Sequence, residues 1–200
     1  MKKLGILVSG RGSNMIAIVE ACERGELAAS VELVISNNKD SLALASAQSK
    51  HIETAHIGSS IYPEADALDK AMLDALNEQN IDLVLLAGFM KKIGPRVLSH
   101  YRGRIINIHP SLLPKHGGKG MFGINVHSAV LAAGEKESGV TIHLVDGEYD
   151  EGAILAQQTV SIASDETSES LAAKVLKVEH VLFAETIQKI VDGSIILPSD

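Results

Sequence analysis

Short, uninterrupted runs of aliphatic residues recur along the first half of the chain, separated by segments whose apolar positions follow a helical period. Runs bounded by polar or glycine segments are typical of strands covered on both faces, as in parallel sheets. Such runs predict strands over residues 4–8, 31–35, 52–57, 81–87 and 104–108. The intervening periodicity predicts helices ending near Arg24 and over 42–49 and 65–76. This alternation predicts a doubly wound, mostly parallel α/β sheet with helices on both faces.

The second half of the chain follows a different pattern. A long loop rich in Gly and Pro leads to a predicted helix over 126–133, followed by predicted strands over 140–145 and 153–160. The turn between these strands is too short for a helical crossover, so we expect an antiparallel pair in the C-terminal half. A long amphipathic helix over 168–191 closes the pattern. Because no repeat or linker interrupts it, we expect one domain spanning residues 1–200.

Composition and charge narrow the possible functions. The hydrophobic fraction is 46% and the charged fraction 22%, as in globular proteins. No apolar run approaches the roughly 20 residues that span a bilayer, so we expect no membrane partner. The single cysteine, Cys22, suits a reducing cytoplasm. The net charge of −7 argues against nucleic acid. However, residues 83–134 carry seven Lys or Arg and no Asp or Glu. That zone suits either a small anionic ligand or a solvated basic face.

A glycine-rich loop joins the first predicted strand to the first helix. It reads Ser-Gly-Arg-Gly-Ser-Asn over residues 9–14. Backbone N–H groups in such a loop, together with the helix N-terminus, favour an anion. Met15 occupies the third glycine position of the dinucleotide fingerprint, and the loop lacks a P-loop lysine. The pattern therefore favours a single phosphate, with a purely structural turn as the alternative.

An Asn-x-His-Pro segment, Asn107 to Pro110, begins at the C-terminal end of the fifth predicted strand, at the edge where open α/β sheets bind ligands. Strand alternation places Asn107 and His109 on the same side of the chain. An amide N–H and an imidazole aimed at one point suit an oxygen that gains negative charge, and His transfers protons near neutral pH. This segment predicts a catalytic site.

A polar turn over residues 143–152 supplies carboxylates, of which one could orient His109 or take a proton from an attacking amine. A solvated acidic turn is the alternative interpretation. The eight histidines show no HxxxH or HExxH spacing, so we expect no catalytic metal.

Four motifs occur together in one order: GRGSN from residue 10, AGFM from 87, NIHPSLLP from 107 and HxVDxxxDxG from 143. In this combination, which covers essentially the whole chain, the sequence resembles the glycinamide ribonucleotide transformylases, also called phosphoribosylglycinamide formyltransferases. The resemblance implies an enzyme of de novo purine synthesis in which an amine directly attacks the formyl carbon of 10-formyltetrahydrofolate. It also implies small-molecule substrates and a monomer or homodimer.

The resemblance also implies roles for individual residues. The expected catalytic residues are Asn107, His109 and Asp150. The expected ribonucleotide-binding residues are Gly12, Ser13, Asn14 and Glu179. The expected folate-binding residues are Met90, Lys91, Lys92, Ile93 and Asn107. The nucleotide would lie mainly in residues 1–100 and the folate and chemistry mainly in 101–200.

Two positions depart from the family pattern, and one peptide bond is singled out by it. Ala65 stands where family members often carry a folate-binding arginine, and the loop over 115–123 differs from commoner forms. The Leu113–Pro114 bond is a candidate cis peptide by the same resemblance.

Three other functions compete with this interpretation. A methionyl-tRNA formyltransferase would carry an additional C-terminal domain, and a formyltetrahydrofolate hydrolase an additional N-terminal one, for neither of which we expect room. A nonenzymatic nucleotide-binding module would explain the glycine loop but leave the Asn-x-His-Pro segment and the polar turn without a purpose.

Overall fold

The computed structural model describes residues 1–198. Within these residues, seven strands and six helices are present and alternate for most of their length. The strands are β1 Lys2–Val8, β2 Ala29–Ser36, β3 Glu53–His56, β4 Leu83–Leu86, β5 Ile105–His109, β6 Glu137–Leu144 and β7 Ile154–Ser161. The helices are α1 Ser13–Glu23, α2 Leu42–Ser49, α3 Ala65–Glu78, α4 Pro95–His100, α5 Ile124–Ala132 and α6 Ser168–Val191. The predicted strands and helices are all present, with ends shifted by a few residues.

The seven strands form one sheet in the order β3-β2-β1-β4-β5-β6-β7. The first five are parallel, and β6 runs antiparallel to both β5 and β7. The predicted mostly parallel sheet with an antiparallel C-terminal part is therefore confirmed. The strand order reverses at β1 and β4, which is where doubly wound sheets open a crevice for ligands.

Apolar side chains fill both faces of the sheet. One face packs against α1, α2, α5 and α6 through residues such as Met15, Val126 and Val175. The other packs against α3 and α4 through residues such as Met72 and Val97. The central strands β1, β4 and β5 are thus buried on both sides, as their uninterrupted runs predicted, whereas the edge strands β3 and β7 are partly exposed. Among the described residues, no helix combines the length and apolar character needed to cross a bilayer.

The sequence pattern did not predict α4, which has only six residues. Its N-terminus is capped by Asp69, a buried residue of α3 that is distant in the sequence. The Asp69 carboxylate accepts hydrogen bonds from the N–H groups of Arg96 at 2.7 Å and Val97 at 3.2 Å. A side chain at Gly94 would collide with this carboxylate. A helix this short depends on such a tertiary cap, because its own propensity is too weak to sustain it.

Candidate active site

A cavity of about 770 Å³ opens at the carboxyl ends of β1, β4 and β5 and is closed on its other sides by loops, α5 and α6. All eleven residues for which the sequence predicted a role line it. They are Gly12, Ser13, Asn14, Met90, Lys91, Lys92, Ile93, Asn107, His109, Asp150 and Glu179. Asp146, the other aspartate of the polar turn, lies outside the lining.

Asn107, His109 and Asp150 form one cluster at the cavity wall. Nδ1 of His109 lies 3.5 Å from Oδ2 of Asp150. Nδ2 of Asn107 lies 3.4 Å from Oδ1 of the same carboxylate. His109 is almost fully buried and Asp150 is partly buried. The three polar groups, predicted from two separate motifs, therefore surround one point.

Asp150 occupies a left-handed backbone conformation, with φ of 59°, which is uncommon for a residue other than glycine. Two glycines allow this segment to approach its neighbours. A Cβ at Gly117 would lie 3.2 Å from the Cβ of Asp150, and a Cβ at Gly152 would lie 1.8 Å from the carbonyl oxygen of Leu144. The N–H of Gly118 donates to Oδ2 of Asp150 at 2.8 Å. The carboxylate is thereby held towards His109.

Burial and charge set the protonation of this pair. Burial lowers the pKa of His109 below its usual value, although the Asp150 carboxylate and the His116 carbonyl act in the opposite direction. Burial alone would raise the pKa of Asp150, but the contacts with His143, His109 and the Gly118 N–H lower it overall. The two shifts together describe an ionised carboxylate beside a neutral imidazole, since burial outweighs the attraction at His109.

Two further histidines of the cavity were not selected by the sequence analysis. His143 contacts the cluster directly, since its Nε2 lies 3.0 Å from Nδ2 of Asn107 while its Nδ1 lies 2.8 Å from the carbonyl oxygen of Leu144. His127, in α5, is buried and its Nδ1 has no partner among the described residues. His143 could have been identified from the sequence, because it lies on a predicted strand. In the structure this strand, β6, places it directly opposite Asn107 of β5.

The glycine loop forms one end of the cavity. Gly12 precedes α1 with φ of 76°, and a Cβ there would lie 2.5 Å from the Cβ of Ala43. No side chain caps the helix, so its first N–H groups remain available beside the cavity. Asn14 has a buried Oδ1 without a partner among the described residues. Burial raises the pKa of Glu179 to about 7, with a hydrogen bond from Asn14 opposing the shift.

The loop after β4, residues 87–93, forms the other end of the cavity. Met90 is exposed at the cavity wall, whereas Ile93 is buried. The Lys92 ammonium lies 3.3 Å from Oε1 of Glu148 and 5.9 Å from the centre of the Tyr149 ring. Ala65, where the family pattern often has arginine, begins α3 and lies outside the lining.

One structural expectation drawn from the sequence concerns a peptide bond in the loop after β5. The Leu113–Pro114 peptide bond is cis, as expected from the resemblance. Among residues 1–198, no group of three or more His, Cys, Asp or Glu side chains is arranged to hold a metal ion.

Comparison with known proteins agrees with this geometry. A sequence profile described as formyl transferase matches residues 2–187. Phosphoribosylglycinamide formyltransferase from Escherichia coli is 34% identical, over 94% of this chain and 86% of that protein. The chloroplastic enzyme of the same name from Arabidopsis thaliana is 42% identical, over 97% of this chain. The chain spans about two thirds of the length of the plant relatives that it matches, 67% and 64%.

Solved structures agree at the level of the whole fold. Phosphoribosylglycinamide formyltransferase from Bacillus halodurans superimposes with a TM-score of 0.90 at 36% identity, covering 97% of both chains. The shared profile, the extent of the sequence matches and the shared fold lead to one assignment. The chain belongs to the formyl transferase family, among the phosphoribosylglycinamide formyltransferases.

Proposed function

We propose that this chain transfers the formyl group of 10-formyltetrahydrofolate to the primary amine of glycinamide ribonucleotide, a step of de novo purine biosynthesis. The observation that carries the proposal is the meeting of Asn107, His109 and Asp150 at one point of a cavity that also contains an anion-binding loop. The names of the relatives support the same reaction.

The ribonucleotide binds at the glycine-loop end. Its phosphate accepts hydrogen bonds from the backbone N–H groups of Gly12, Ser13 and Asn14, where the partial positive charge of the α1 N-terminus adds to the attraction. Glu179 and the unpartnered oxygen of Asn14 then face the ribose, whose hydroxyl groups can donate to both. The amine end of the substrate extends from there towards His109.

The folate binds at the loop after β4. Met90 and Ile93 supply apolar contacts, and the backbone of this loop supplies hydrogen-bond partners for a flat heterocycle. Lys91 and Lys92 give the cavity mouth a positive charge that suits the carboxylates of a folate tail. Asn107, at the boundary between the two binding regions, contacts the formyl group.

The chemistry follows from the hydrogen bonds of His109. Its Nε2 lies 2.9 Å from the carbonyl oxygen of His116, which can only accept, so Nε2 carries the proton and Nδ1 keeps a lone pair. The substrate amine attacks the formyl carbon, and a new C–N bond forms as the formyl C=O becomes an oxyanion. The amide of Asn107 donates to that oxyanion, displacing its long contact with Asp150.

Proton transfer completes the reaction. The amine loses a proton to the Nδ1 of His109, directly or through a water, and the ionised Asp150 stabilises the resulting imidazolium. The C–N bond to the folate then breaks and the imidazolium returns the proton to the folate nitrogen. The reaction needs no covalent enzyme intermediate. The buried hydroxyl of Ser111 donates to the carbonyl of Lys115 at 2.7 Å instead of facing the histidine as a nucleophile.

We further propose that residues 1–200 act as one domain, as a monomer or homodimer in the cytoplasm, without nucleic acid or membrane partners. The proposed division assigns the ribonucleotide mainly to residues 1–100 and the folate and the chemistry mainly to 101–200. Glu179 and the loop after β4 contribute across that boundary, so both halves are required together.

A single assay tests the proposal. Purified protein is incubated with 10-formyltetrahydrofolate, with and without glycinamide ribonucleotide, and both formylated ribonucleotide and free formate are quantified. The proposal predicts formylated product only when the ribonucleotide is present. Formate release without it would identify a hydrolase, and binding of the ribonucleotide without turnover would identify a nonenzymatic module.

A further inference from the structure

The four-residue segment 115–118, in the loop after β5, contacts both members of the His109–Asp150 pair through its backbone. The carbonyl oxygen of His116 lies 2.9 Å from Nε2 of His109. Two residues later, the N–H of Gly118 donates to Oδ2 of Asp150 at 2.8 Å. The position of this segment therefore determines how the imidazole and the carboxylate face each other.

The His116 carbonyl also determines which nitrogen of His109 is protonated. A carbonyl cannot donate, so the hydrogen bond requires a proton on Nε2 and leaves the lone pair on Nδ1, the atom that faces Asp150. If the carbonyl moved away, the imidazole could place its proton on Nδ1 instead, facing the carboxylate. That second tautomer cannot accept a proton at Nδ1 from the substrate amine.

The conformation of His116 needs support from its surroundings. Its φ is 55°, in the left-handed region that non-glycine residues occupy at a cost of about 1 kcal/mol. Ser111 contributes by donating to the carbonyl oxygen of Lys115 at 2.7 Å. The remaining support comes from the side chains of Lys115 and His116, which contact a residue that follows α5.

Glu135, which follows α5, supplies that support. Its carboxylate accepts from the Lys115 ammonium at 3.0 and 3.1 Å, and its Oε1 lies 3.4 Å from Nε2 of His116. Hydrogen bonds from Lys115 and then His116 lower the pKa of Glu135, so the group is a carboxylate at neutral pH. Glu135 is outside the lining of the cavity and cannot touch a substrate there.

We propose that Glu135 is a positioning residue for the reaction: by holding Lys115 and His116, it fixes the backbone carbonyl that sets the tautomer of His109. This inference rests on the catalytic role proposed for His109. The other titratable groups that act on the imidazole are Asp150, His143, His127 and His116, of which only His116 contacts Glu135. A change in His109 on replacing Glu135 would therefore arise through His116, whose backbone carbonyl is bonded to the imidazole.

The test replaces Glu135 in the full-length chain with Ala and with Gln. Glu137→Gln is the matched control, since Glu137 is exposed, begins β6 and makes no ion pair among the described residues. Glu135→Ala is expected to lower kcat about tenfold with KM for both substrates within about twofold. Glu135→Gln, which still accepts from Lys115, should lose less. The control should retain parental kcat and KM.

A second readout separates positioning from a general structural role. Nitrogen-15 NMR of labelled histidine reports the tautomer of His109, with its signals assigned by their loss in His109→Gln. The parent and Glu137→Gln should show the Nε2–H tautomer, and Glu135→Ala a mixture of both. An unchanged tautomer in Glu135→Ala would overturn the inference. Because this measurement needs no turnover, it gives an answer even if the proposed formyl transfer fails.

Discussion

Nδ2 of Asn107 lies 3.0 Å from Nε2 of His143, and the two residues are directly paired across the antiparallel strands β5 and β6. Because Nδ1 of His143 is 2.8 Å from the carbonyl oxygen of Leu144, that nitrogen carries the proton and Nε2 accepts from the Asn107 amide. One amide N–H is thereby held by His143, and the other is directed towards Asp150 and the reaction centre. A histidine on a neighbouring strand thus determines the orientation of the oxyanion donor.

Replacement of His143 should therefore act on catalysis through Asn107. His143→Leu removes the acceptor and is expected to lower kcat by about 10- to 100-fold, since the amide is then free to rotate. His143→Gln offers an oxygen in place of the imidazole nitrogen and should retain more activity. Steady-state formyl transfer measures both, with circular dichroism to verify folding. Equal losses in both variants would show that packing of the ring, not its acceptor, is what matters.

The His109–Asp150 pair should carry most of the proton transfer. His109→Ala and Asp150→Ala are each expected to lower kcat by about 10²–10⁴-fold with the fold intact. The double variant should be little worse than either single one, because the two groups act as a unit. Turnover near the parental rate in a well-folded Asp150→Ala protein would exclude the role proposed for that carboxylate.

The activity should fall on the acid side of the pH profile. Burial lowers the pKa of His109, so the neutral imidazole persists to a pH below its ordinary value of 6.5, and protonation at lower pH removes the base. The Asp150 carboxylate opposes that shift by attraction. Asp150→Asn should therefore move the acid limb of the residual activity to still lower pH. A limb that moves to higher pH would show that the carboxylate does not favour the charged imidazole.

The same burial gives His109 a stability effect of definite sign. A histidine whose folded pKa lies below its unfolded value binds protons less well when folded, so protonation favours unfolding. Stability is thus expected to fall as the pH drops below about 6.5, the ordinary histidine value. Urea unfolding of the parent and His109→Gln at pH 5 and 8 measures it. The parent should lose more stability than the variant at pH 5.

The sequence predicted those parts of the site that follow from strand ends and loops. Asn107 and His109 alternate at the end of an aliphatic strand, and Gly12 precedes a helix, so their positions depend on local structure alone. Glu135 and His116 were not identified, because their contacts depend on how the loop after Pro114 folds back against α5. The short helix α4 was missed for a similar reason, since its cap, Asp69, is 27 residues away in the chain.

Asp69 should affect stability and not the chemistry. Asp69→Ala leaves the N–H groups of Arg96 and Val97 without their acceptor, in a part of the fold that is largely buried. We expect a loss of about 1–3 kcal/mol in the free energy of unfolding, as for other buried hydrogen-bond donors left unpaired. Urea unfolding measures the loss, and kcat below the melting temperature should stay within about twofold. A large drop in kcat with unchanged stability would contradict this assignment.

Glu179 should couple stability to pH in the opposite sense from His109. Burial raises its pKa from 4.5 to about 7, so the folded protein binds this proton more tightly than the unfolded chain. The associated stability is complete below pH 4.5 and is lost as the pH rises to about 7. Glu179→Gln removes that dependence, so relative to the parent the variant should gain roughly 2–3 kcal/mol between pH 4.5 and pH 8.

The same variant separates stability from binding, because the amide of Glu179→Gln is a weaker acceptor than a carboxylate for the hydroxyl groups of a ribose. KM for the ribonucleotide is expected to rise about tenfold while KM for the folate stays unchanged, since the folate binds at the other end of the cavity. Glu185→Gln, an exposed position on the same helix, is the matched control and should leave both constants and the pH dependence of stability unaltered. A parallel rise in both KM values would instead place Glu179 among the residues that hold the fold, and would remove it from the ribonucleotide site.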